Sequence, residues 1–147
     1  MLTGTYQRTL DSKTRVTLPL DFRKELDEKI CLIPFNGALY GFTPEGFKAW
    51  VDSQFERGDQ HYDPRKLADV RLRRHLTAAA QTIEVDSAGR LALGKLGAKV
   101  LDRLCFGHDV TVIGADDHFE LWDAKKWEAE NASFEDDLME LMFGVTA

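Results

Sequence analysis

The sequence contains one charged turn twice, and this repetition constrains the fold more than any other feature. Asp11 and Arg15 recur 75 positions later as Asp86 and Arg90. In both places an Asp-Ser pair follows a short run of alternating apolar residues, and the alternation resumes after the Arg. A turn repeated with its flanking strands predicts two copies of one structural unit.

The similarity continues beyond the turn. Residues 38–47 (ALYGFTPEGF) correspond to residues 118–127 (HFELWDAKKW) at an offset of 80, which aligns Phe47 with Trp127. The change of offset places five additional residues in the second copy, around 107–109. Because both halves match with a single change of length, the chain is predicted to contain a duplicated module.

Each copy has the same predicted succession of elements: two strands around the turn, a short helix, a hairpin and an amphipathic helix. The predicted strands lie at 83–85, 91–93, 30–33, 38–42, 110–113 and 119–122, and the predicted short helices at 21–26 and 95–101. Thr43 and Asp123 are predicted to cap the two amphipathic helices. Between the copies, Pro64 is predicted to open a helix that contains residues 71–75 (RLRRH).

A module of about 45 residues buries too little surface to be stable alone, so the two copies are expected to share one core. The predicted class is mainly β with flanking helices (α+β), arranged as one pseudo-symmetric barrel. The predicted division is 5–50 for the first module, 51–79 for a helical linker, 80–125 for the second module and 126–147 for a C-terminal acidic amphipathic helix.

The residues of the repeated turn are predicted to have two different roles: some form the turn and others contact a ligand. Asp11, Asp86 and Gly89 are predicted to form the turns, because Asp bonds the backbone two residues on and Gly tolerates positive φ. Strand parity then directs Arg15 and Arg90 outward, away from the buried leucines beside them. The planar guanidinium can bind a guanine edge or a phosphate bidentately, so the two arginines are predicted to contact DNA together.

The charge of the chain is unevenly distributed. The net charge is −6, yet residues 1–24 carry five basic and two acidic side chains, whereas residues 116–147 carry two basic and ten acidic ones. Local potential decides whether a phosphate backbone can approach, so the acidic total does not exclude DNA. Lys13 and Arg8 are predicted to steer DNA towards the two turns.

These motifs resemble the MraZ family of bacterial transcriptional regulators with two SpoVT-AbrB domains. The resemblance rests on GTY at residue 4, LDSKTRVTLP at 10, DSAGRL at 86 and FELW at 119. It implies an AbrB-like double-split, swapped-hairpin β-barrel, ring-like homo-oligomers, and repression of the division and cell-wall gene cluster through repeated promoter boxes. It also implies a cytoplasmic, nucleoid-associated protein whose DNA-contacting arginines are Arg15 and Arg90.

The sequence departs from the family pattern at two positions. Thr14 replaces the glycine of the first turn, and Gly94 stands where the second copy should have proline. A β-branched residue at positive φ is an outlier, so the first loop is expected either to form a different turn or to be strained or mobile. The second copy, which has glycine in place of this proline, is expected to be held less tightly than the first.

The other functional classes are predicted to be absent. An aspartic-protease dyad needs glycine directly after Asp-Ser, where this chain has Lys13 and Ala88, and a neighbouring guanidinium would keep each carboxylate ionised. We expect no enzymatic activity, cofactor, metal, small-molecule substrate, signal peptide or membrane segment. The residue types of a metal site, without its spacing, occur at His108, Asp109, Asp116, Asp117 and His118.

Two further expectations concern the cysteines and the C-terminus. Cys31 and Cys105 are expected to be core residues of a protein in a reducing compartment. The alternative function is an AbrB-like antitoxin or an oligomeric scaffold without enzymatic activity. The segment 133–143 (SFEDDLMELMF) is predicted to be a helix that packs on its own barrel or on a neighbouring copy.

Overall fold

A computed structural model describes residues 1–144 of the chain. The strands of this part are β1 (Thr5–Thr9), β2 (Arg15–Thr17), β3 (Lys29–Phe35), β4 (Ala38–Phe42), β5 (Gln81–Glu84), β6 (Arg90–Ala92), β7 (Asp109–Gly114) and β8 (Phe119–Asp123). The α-helices are α1 (Leu20–Glu25), α2 (Pro44–Ser53), α3 (Leu67–Ala79), α4 (Ala98–Leu104) and α5 (Ala124–Phe143), and a 3₁₀ turn spans Leu93–Leu96. The predicted α+β class is therefore confirmed.

The strands form two antiparallel sheets. The larger has the order β1-β7-β8-β4-β3-β5, and the smaller is the two-stranded ribbon β2-β6. Strand β1 of the first copy pairs with β7 of the second, and β5 of the second pairs with β3 of the first. The copies thus exchange strands. Within the described residues β1 and β5 end the larger sheet without pairing to each other, so the predicted closed barrel is not found.

The strand registers preserve the internal symmetry of the sequence. Val16 faces Leu91 in the ribbon, and Tyr40 faces Glu120 in the large sheet. Each pair joins equivalent residues of the two copies, since the members lie 75 and 80 positions apart. A pseudo-twofold axis therefore passes through both pairs.

The hairpin turns and helix caps follow local chemistry. Asn36 and Gly37 connect β3 to β4 with φ of 52° and 81°, the conformation that a two-residue hairpin of this type requires. Thr43 caps α2 by accepting a hydrogen bond from the Gly46 amide at 3.0 Å. Asp123 caps α5 as predicted, through the Lys126 amide. These local sequence signals were sufficient to place the hairpin and both caps.

Two of the predicted helices have different bounds. The helix predicted at 95–101 is divided by Gly97, whose φ of 92° separates the 3₁₀ turn from α4. The prediction that Pro64 opens α3 was wrong, because the helix begins at Leu67. Asp63 instead holds a turn there, accepting hydrogen bonds from the Arg65 amide at its side chain and from the Lys66 amide at its carbonyl.

The two copies share one hydrophobic core. Its fully buried members come from both halves of the chain and include Val16, Leu18, Phe22, Ile30, Leu32, Leu39, Leu91, Leu93, Val112, Phe119 and Leu121. A second cluster packs α2 against the other face of β3 and β4, around Ile33, Phe42 and Val51. The core positions therefore join the ribbon, α1 and the large sheet into one body.

The expectation for the cysteines was half wrong. Cys31 is buried in β3, whereas Cys105 is exposed at the C-terminal end of α4. Cys105 adopts the left-handed conformation that ends the helix (φ 53°), and its thiol lies 3.0 Å from the Asp102 carbonyl. The apolar neighbours of Cys105 in sequence did not indicate burial because the residue ends a helix at the surface.

The prediction left open whether the segment 133–143 packs on its own barrel or on a neighbouring copy, and most of its apolar side chains do not pack on the body. The first turns of α5 contact β7 and β8, but no residue of the helix is buried. Phe134, Leu141 and Met142 are 44%, 66% and 65% exposed. A helix of 20 residues is about 30 Å long, and most of the large apolar side chains in its second half are exposed. Among the described residues, no helix combines the length and apolar character needed to span a membrane.

Candidate nucleic-acid interface

The ribbon β2-β6 brings the two predicted arginines together. Arg15 faces Ala92 and Arg90 faces Thr17, on either side of the Val16–Leu91 pair. Cross-strand partners point to the same side of a ribbon, so both arginines share the face opposite the fully buried Val16 and Leu91. As diagonal neighbours their Cα atoms are about 7–8 Å apart. Parity predicts that each arginine leaves its strand on the side away from the core, and the pairing of β2 with β6 brings the two to one face.

The Asp of each turn organises the backbone around it. Asp11 Oδ1 accepts hydrogen bonds from the amides of Lys13 and Arg15, both at 2.9 Å. Asp86 Oδ1 accepts the equivalent bonds from the amides of Ala88 and Arg90, at 3.0 and 2.9 Å. The carboxylates therefore fix the turns.

The two turns have the same conformation although one lacks glycine. The Thr14 amide donates to the Asp11 carbonyl at 3.0 Å, as the Gly89 amide does to Asp86 at 2.9 Å. Thr14 has φ of 58° and Gly89 φ of 78°. The expectation that the first loop forms a different turn was therefore wrong. Thr14 adopts the left-handed region that a β-branched residue disfavours.

Each guanidinium pairs with the carboxylate of its own turn. Arg15 Nε lies 2.7 Å from Asp11 Oδ2, and Arg90 Nε lies 2.9 Å from Asp86 Oδ2. The arginine side chains are 25% and 35% exposed, so neither extends freely into solvent. Within residues 1–144 the two terminal nitrogens of each guanidinium have no hydrogen-bond partner. The outward projection expected from parity is thus limited by an ion pair at the base of each guanidinium.

The pKa values of the two turn carboxyls follow from these bonds. The Arg15 backbone amide contributes most to lowering the pKa of Asp11, burial opposes it, and the guanidinium adds to the lowering. The pKa of Asp86 is lowered in the same way, chiefly by the amide of Arg90. Both groups therefore remain carboxylates, which agrees with their predicted role in the turns.

Lys13 and Arg8, which are predicted to steer DNA, differ in whether hydrogen bonds already occupy their side chains. Lys13 is exposed at the tip of the first turn. Arg8, in β1, donates from Nε to the Thr17 carbonyl at 3.2 Å and from Nη1 to the Gln7 carbonyl at 2.9 Å. Arg8 is therefore occupied in tying β1 to the end of β2, a contact that its position in the sequence did not reveal.

Sequence reasoning missed the role of Arg23 beside the second turn. The Arg23 side chain lies directly over Gly89, where a Cβ would come within 1.8 Å of its Nη1. Together with Lys24 and Ser87 it lines an open cleft of about 620 Å³ next to the turn. The position equivalent to Arg23 in the second copy is Ala98, so this cation belongs to the second turn alone.

The histidine and carboxylate residues near the second hairpin do not form a metal cluster. Between residues 1 and 144 no three His, Cys, Asp or Glu side chains are grouped as metal ligands. His118 instead bonds Asp117 through Nδ1 at 2.7 Å and Glu120 through Nε2 at 2.8 Å. Burial lowers the pKa of His118, but these hydrogen bonds outweigh it and the net pKa is raised.

Comparison with known proteins places the chain in a family. The model of the MraZ protein family, which its description calls antitoxin-like, matches residues 1–66 and 76–141. A protein of Treponema denticola named "Transcriptional regulator MraZ" is 32% identical over 143 residues, 95% of this chain and 93% of its own length. Proteins of the same name from Limosilactobacillus fermentum and Spiroplasma kunkelii are 31% and 30% identical, over 92% and 86% of this chain and 87% and 85% of their own lengths. Because the family model covers most of the chain and these relatives align over most of both lengths, the chain belongs to the MraZ family.

Proposed function

We propose that this chain is a DNA-binding transcriptional regulator whose contact element is the ribbon β2-β6. The single observation that supports this most is the pair of arginines on one face of the ribbon, each held by the carboxylate of its own turn. The relatives carry the name of a transcriptional regulator, which favours the same function. The major groove of DNA admits a two-stranded ribbon of this kind.

The ion pairs prepare the guanidiniums for binding. Asp11 and Asp86 engage the Nε side of Arg15 and Arg90, and the terminal nitrogens stay available. Two parallel N–H donors match guanine O6 and N7, or two phosphate oxygens. A side chain already fixed by its turn loses less conformational entropy on binding. The carboxylates also repel phosphate, so this arrangement favours base edges over the backbone.

Backbone contacts come from the other cations of this region. Lys13 is exposed at the first turn, and Arg23 and Lys24 lie beside the second. Each phosphate contact adds about −0.9 to the slope of log affinity against log salt. One chain offers few such contacts, so its individual affinity is weak. Several chains in a ring-like homo-oligomer on repeated promoter boxes could raise the apparent affinity by about 10²–10⁴.

The remaining parts of the proposal follow from the family. Residues 5–50 and 80–125 are the two SpoVT-AbrB modules and 51–79 is the helical linker. The C-terminal acidic segment is 126–147, of which 145–147 lie outside the described residues and α5 supplies the helix as far as Phe143. The exchange of strands between the copies supports an AbrB-like swapped-hairpin arrangement. The chain acts in the cytoplasm on the nucleoid, without enzymatic activity, and represses the division and cell-wall gene cluster by occupying its promoter.

Substitution of the two arginines tests the proposal. Binding would be measured by fluorescence anisotropy on DNA selected by the wild-type protein from random sequences. Arg15→Ala and Arg90→Ala should each weaken binding by about 1–3 kcal/mol, the value of one bidentate base contact, and the double variant should abolish it. Arg15→Lys should restore charge but not specificity.

Arg71→Ala is the matched control, because Arg71 is an exposed arginine on α3, outside the ribbon. It should bind like the wild type, and all variants should keep the wild-type mass in sedimentation. If the double variant bound the selected DNA as tightly as the wild type, the ribbon would not be the contact element.

An antitoxin or scaffold is the second candidate, and exposed residues of α5 favour it. Residues 134–142 of this helix include four acidic side chains. The same stretch has four exposed apolar side chains, those of Phe134, Met139, Leu141 and Met142. Such a helix is typical of a segment that packs on another chain. Deletion of residues 131–147 should reduce the mass measured by light scattering and retain the fold. An unchanged mass would leave α5 without a role in self-association.

A further inference from the structure

A cavity of about 390 Å³ lies between the large sheet and α5, away from the ribbon. Four aromatic side chains line it: Tyr40 from β4, Trp122 from β8, and Trp127 and Phe134 from α5. The rings of Trp122 and Trp127 meet edge to face at 5.4 Å between centroids. Aromatic side chains around a space of this size form the walls of sites that bind cationic groups.

The same cavity is lined by two acidic side chains. Glu130 on α5 is exposed, but Glu120 in β8 is only 9% exposed although it lies among aromatic rings. Burying a carboxylate is costly unless it is paired and hydrogen-bonded. Glu120 Oε2 bonds His118 Nε2 at 2.8 Å, and Oε1 accepts from Trp122 Nε1 at 2.9 Å. Glu120 also hydrogen-bonds the Tyr40 side chain, and a carboxylate has about four acceptor positions, so one remains for a ligand.

The cavity is built where the two copies of the module differ. Glu120 faces Tyr40 across the pseudo-twofold axis, and the two occupy equivalent positions. One copy supplies an aromatic ring there and the other supplies a charge.

We propose that this cavity is a binding site for an organic cation with a guanidinium or alkylammonium head. The rings of Tyr40, Trp122 and Trp127 line the space for the cation, Glu120 accepts one of its N–H groups, and Glu130 adds a second negative charge at the rim. The charge of the surrounding segment also favours a cation, because residues 116–147 carry a net charge of −8. The head group belongs either to a free small molecule or to a basic side chain of a second copy.

The test uses the full chain labelled with 5-fluorotryptophan and observed by ¹⁹F NMR. The chain has three tryptophans, of which Trp122 and Trp127 line the cavity and Trp50 does not. Titration with methylguanidinium should shift the Trp122 and Trp127 signals saturably and leave Trp50 as the internal reference. Methylurea, which has nearly the same shape without the charge, should cause no such shift.

Variants connect the binding to the two carboxylates. Glu120→Gln should weaken methylguanidinium binding about tenfold or more, the range expected when a desolvated charge is removed from such a site. Glu130→Gln, at an exposed position that cannot affect folding strongly, should weaken it less. Glu128→Gln is the matched control, because Glu128 lies on α5 but lines a different surface with Gln7 and Asp109.

Two outcomes would overturn the proposal: equal shifts with methylurea, or methylguanidinium binding unaffected by both Glu120→Gln and Glu130→Gln. Sedimentation with and without saturating methylguanidinium distinguishes the sources. A lower mass would identify the natural occupant as a basic side chain of a second copy, and an unchanged mass would identify it as a free small cation. Because the cavity is separate from the ribbon, failure of this test leaves the DNA-binding proposal unaffected.

Discussion

Replacement of Thr14 by glycine should stabilise the protein, although it removes a side chain. Thr14 and Gly89 occupy equivalent places in two turns with the same hydrogen bonds, and both have positive φ. Only the second turn has the residue type that suits this conformation. The reciprocal substitution, Gly89→Ala, should therefore destabilise, and the two variants together test the equivalence of the turns.

The magnitudes can be worked from the two positions. The left-handed conformation costs a non-glycine residue about 1–2 kcal/mol. Glycine gains about 0.5–1 kcal/mol of conformational freedom in the unfolded chain, which offsets part of this. Thr14→Gly should therefore raise the free energy of unfolding by about 0.5–1 kcal/mol, or Tm by about 2–3 °C for a chain of this length.

Gly89→Ala should lower the free energy of unfolding by more than Thr14→Gly raises it. A Cβ at residue 89 would lie 1.8 Å from Arg23 Nη1 and 2.5 Å from its Cδ, so the arginine must move as well. Displacing this packed side chain adds to the strain at φ of 78°, and a loss of about 2 kcal/mol in total is expected. The corresponding fall in Tm is about 5–6 °C.

The assay is thermal unfolding followed by circular dichroism, at one protein concentration because self-association shifts Tm. Ser12→Gly is the control in the same turn: Ser12 is not among the residues with positive φ, so glycine there should lower stability by about 0.5–1 kcal/mol. A Tm of Thr14→Gly at or below that of Ser12→Gly would refute the reasoning.

Two other perturbations test the core and the partly buried His118. Gly41→Ala should lower the free energy of unfolding in urea by about 1–3 kcal/mol, since its Cβ would lie 2.2 Å from the fully buried Phe119 ring, while Gly94→Ala, with no atom within 4 Å, should be close to neutral. Stability from charged His118 is complete below the ordinary pKa of 6.5 and is lost as the pH rises through the raised pKa of the folded state. His118→Gln should therefore flatten the fall in urea midpoint above pH 6.5 that the wild type shows, and an identical pH profile for both proteins would contradict this contribution.

Much of the fold could be predicted because it depends on local sequence signals. The alternation of apolar residues placed the strands, and Asn36 with Gly37 placed the first hairpin within two residues. The duplication predicted the equivalence of Arg15 and Arg90, and parity predicted the side on which each leaves its own strand. In each case the determining interaction lies within a few residues of the signal.

The features that could not be predicted depend on contacts distant in sequence or on competition between two partners. Parity indicates which way Arg15 leaves the strand but not that its Nε returns to Asp11, four residues earlier. The packing of Arg23 on Gly89 joins residues 66 positions apart, and no local pattern reports it. The apolar stripe of α5 predicted burial, but a stripe does not specify whether its partner is the same chain or another.

The pseudo-symmetry has a consequence for the DNA that such a ribbon could bind. A true twofold ribbon would favour a palindromic site, because operator symmetry follows protein symmetry. Here the surroundings of the two arginines differ, since Arg23 lies beside the second turn and Ala98 occupies the equivalent position in the first. The second turn therefore carries an additional cation at a fixed place, and Lys13 gives the first turn one that Ala88 cannot supply. If the ribbon binds DNA as proposed, one chain should prefer a box without twofold symmetry. Arg23→Ala should then relax the preference on one side of the box only.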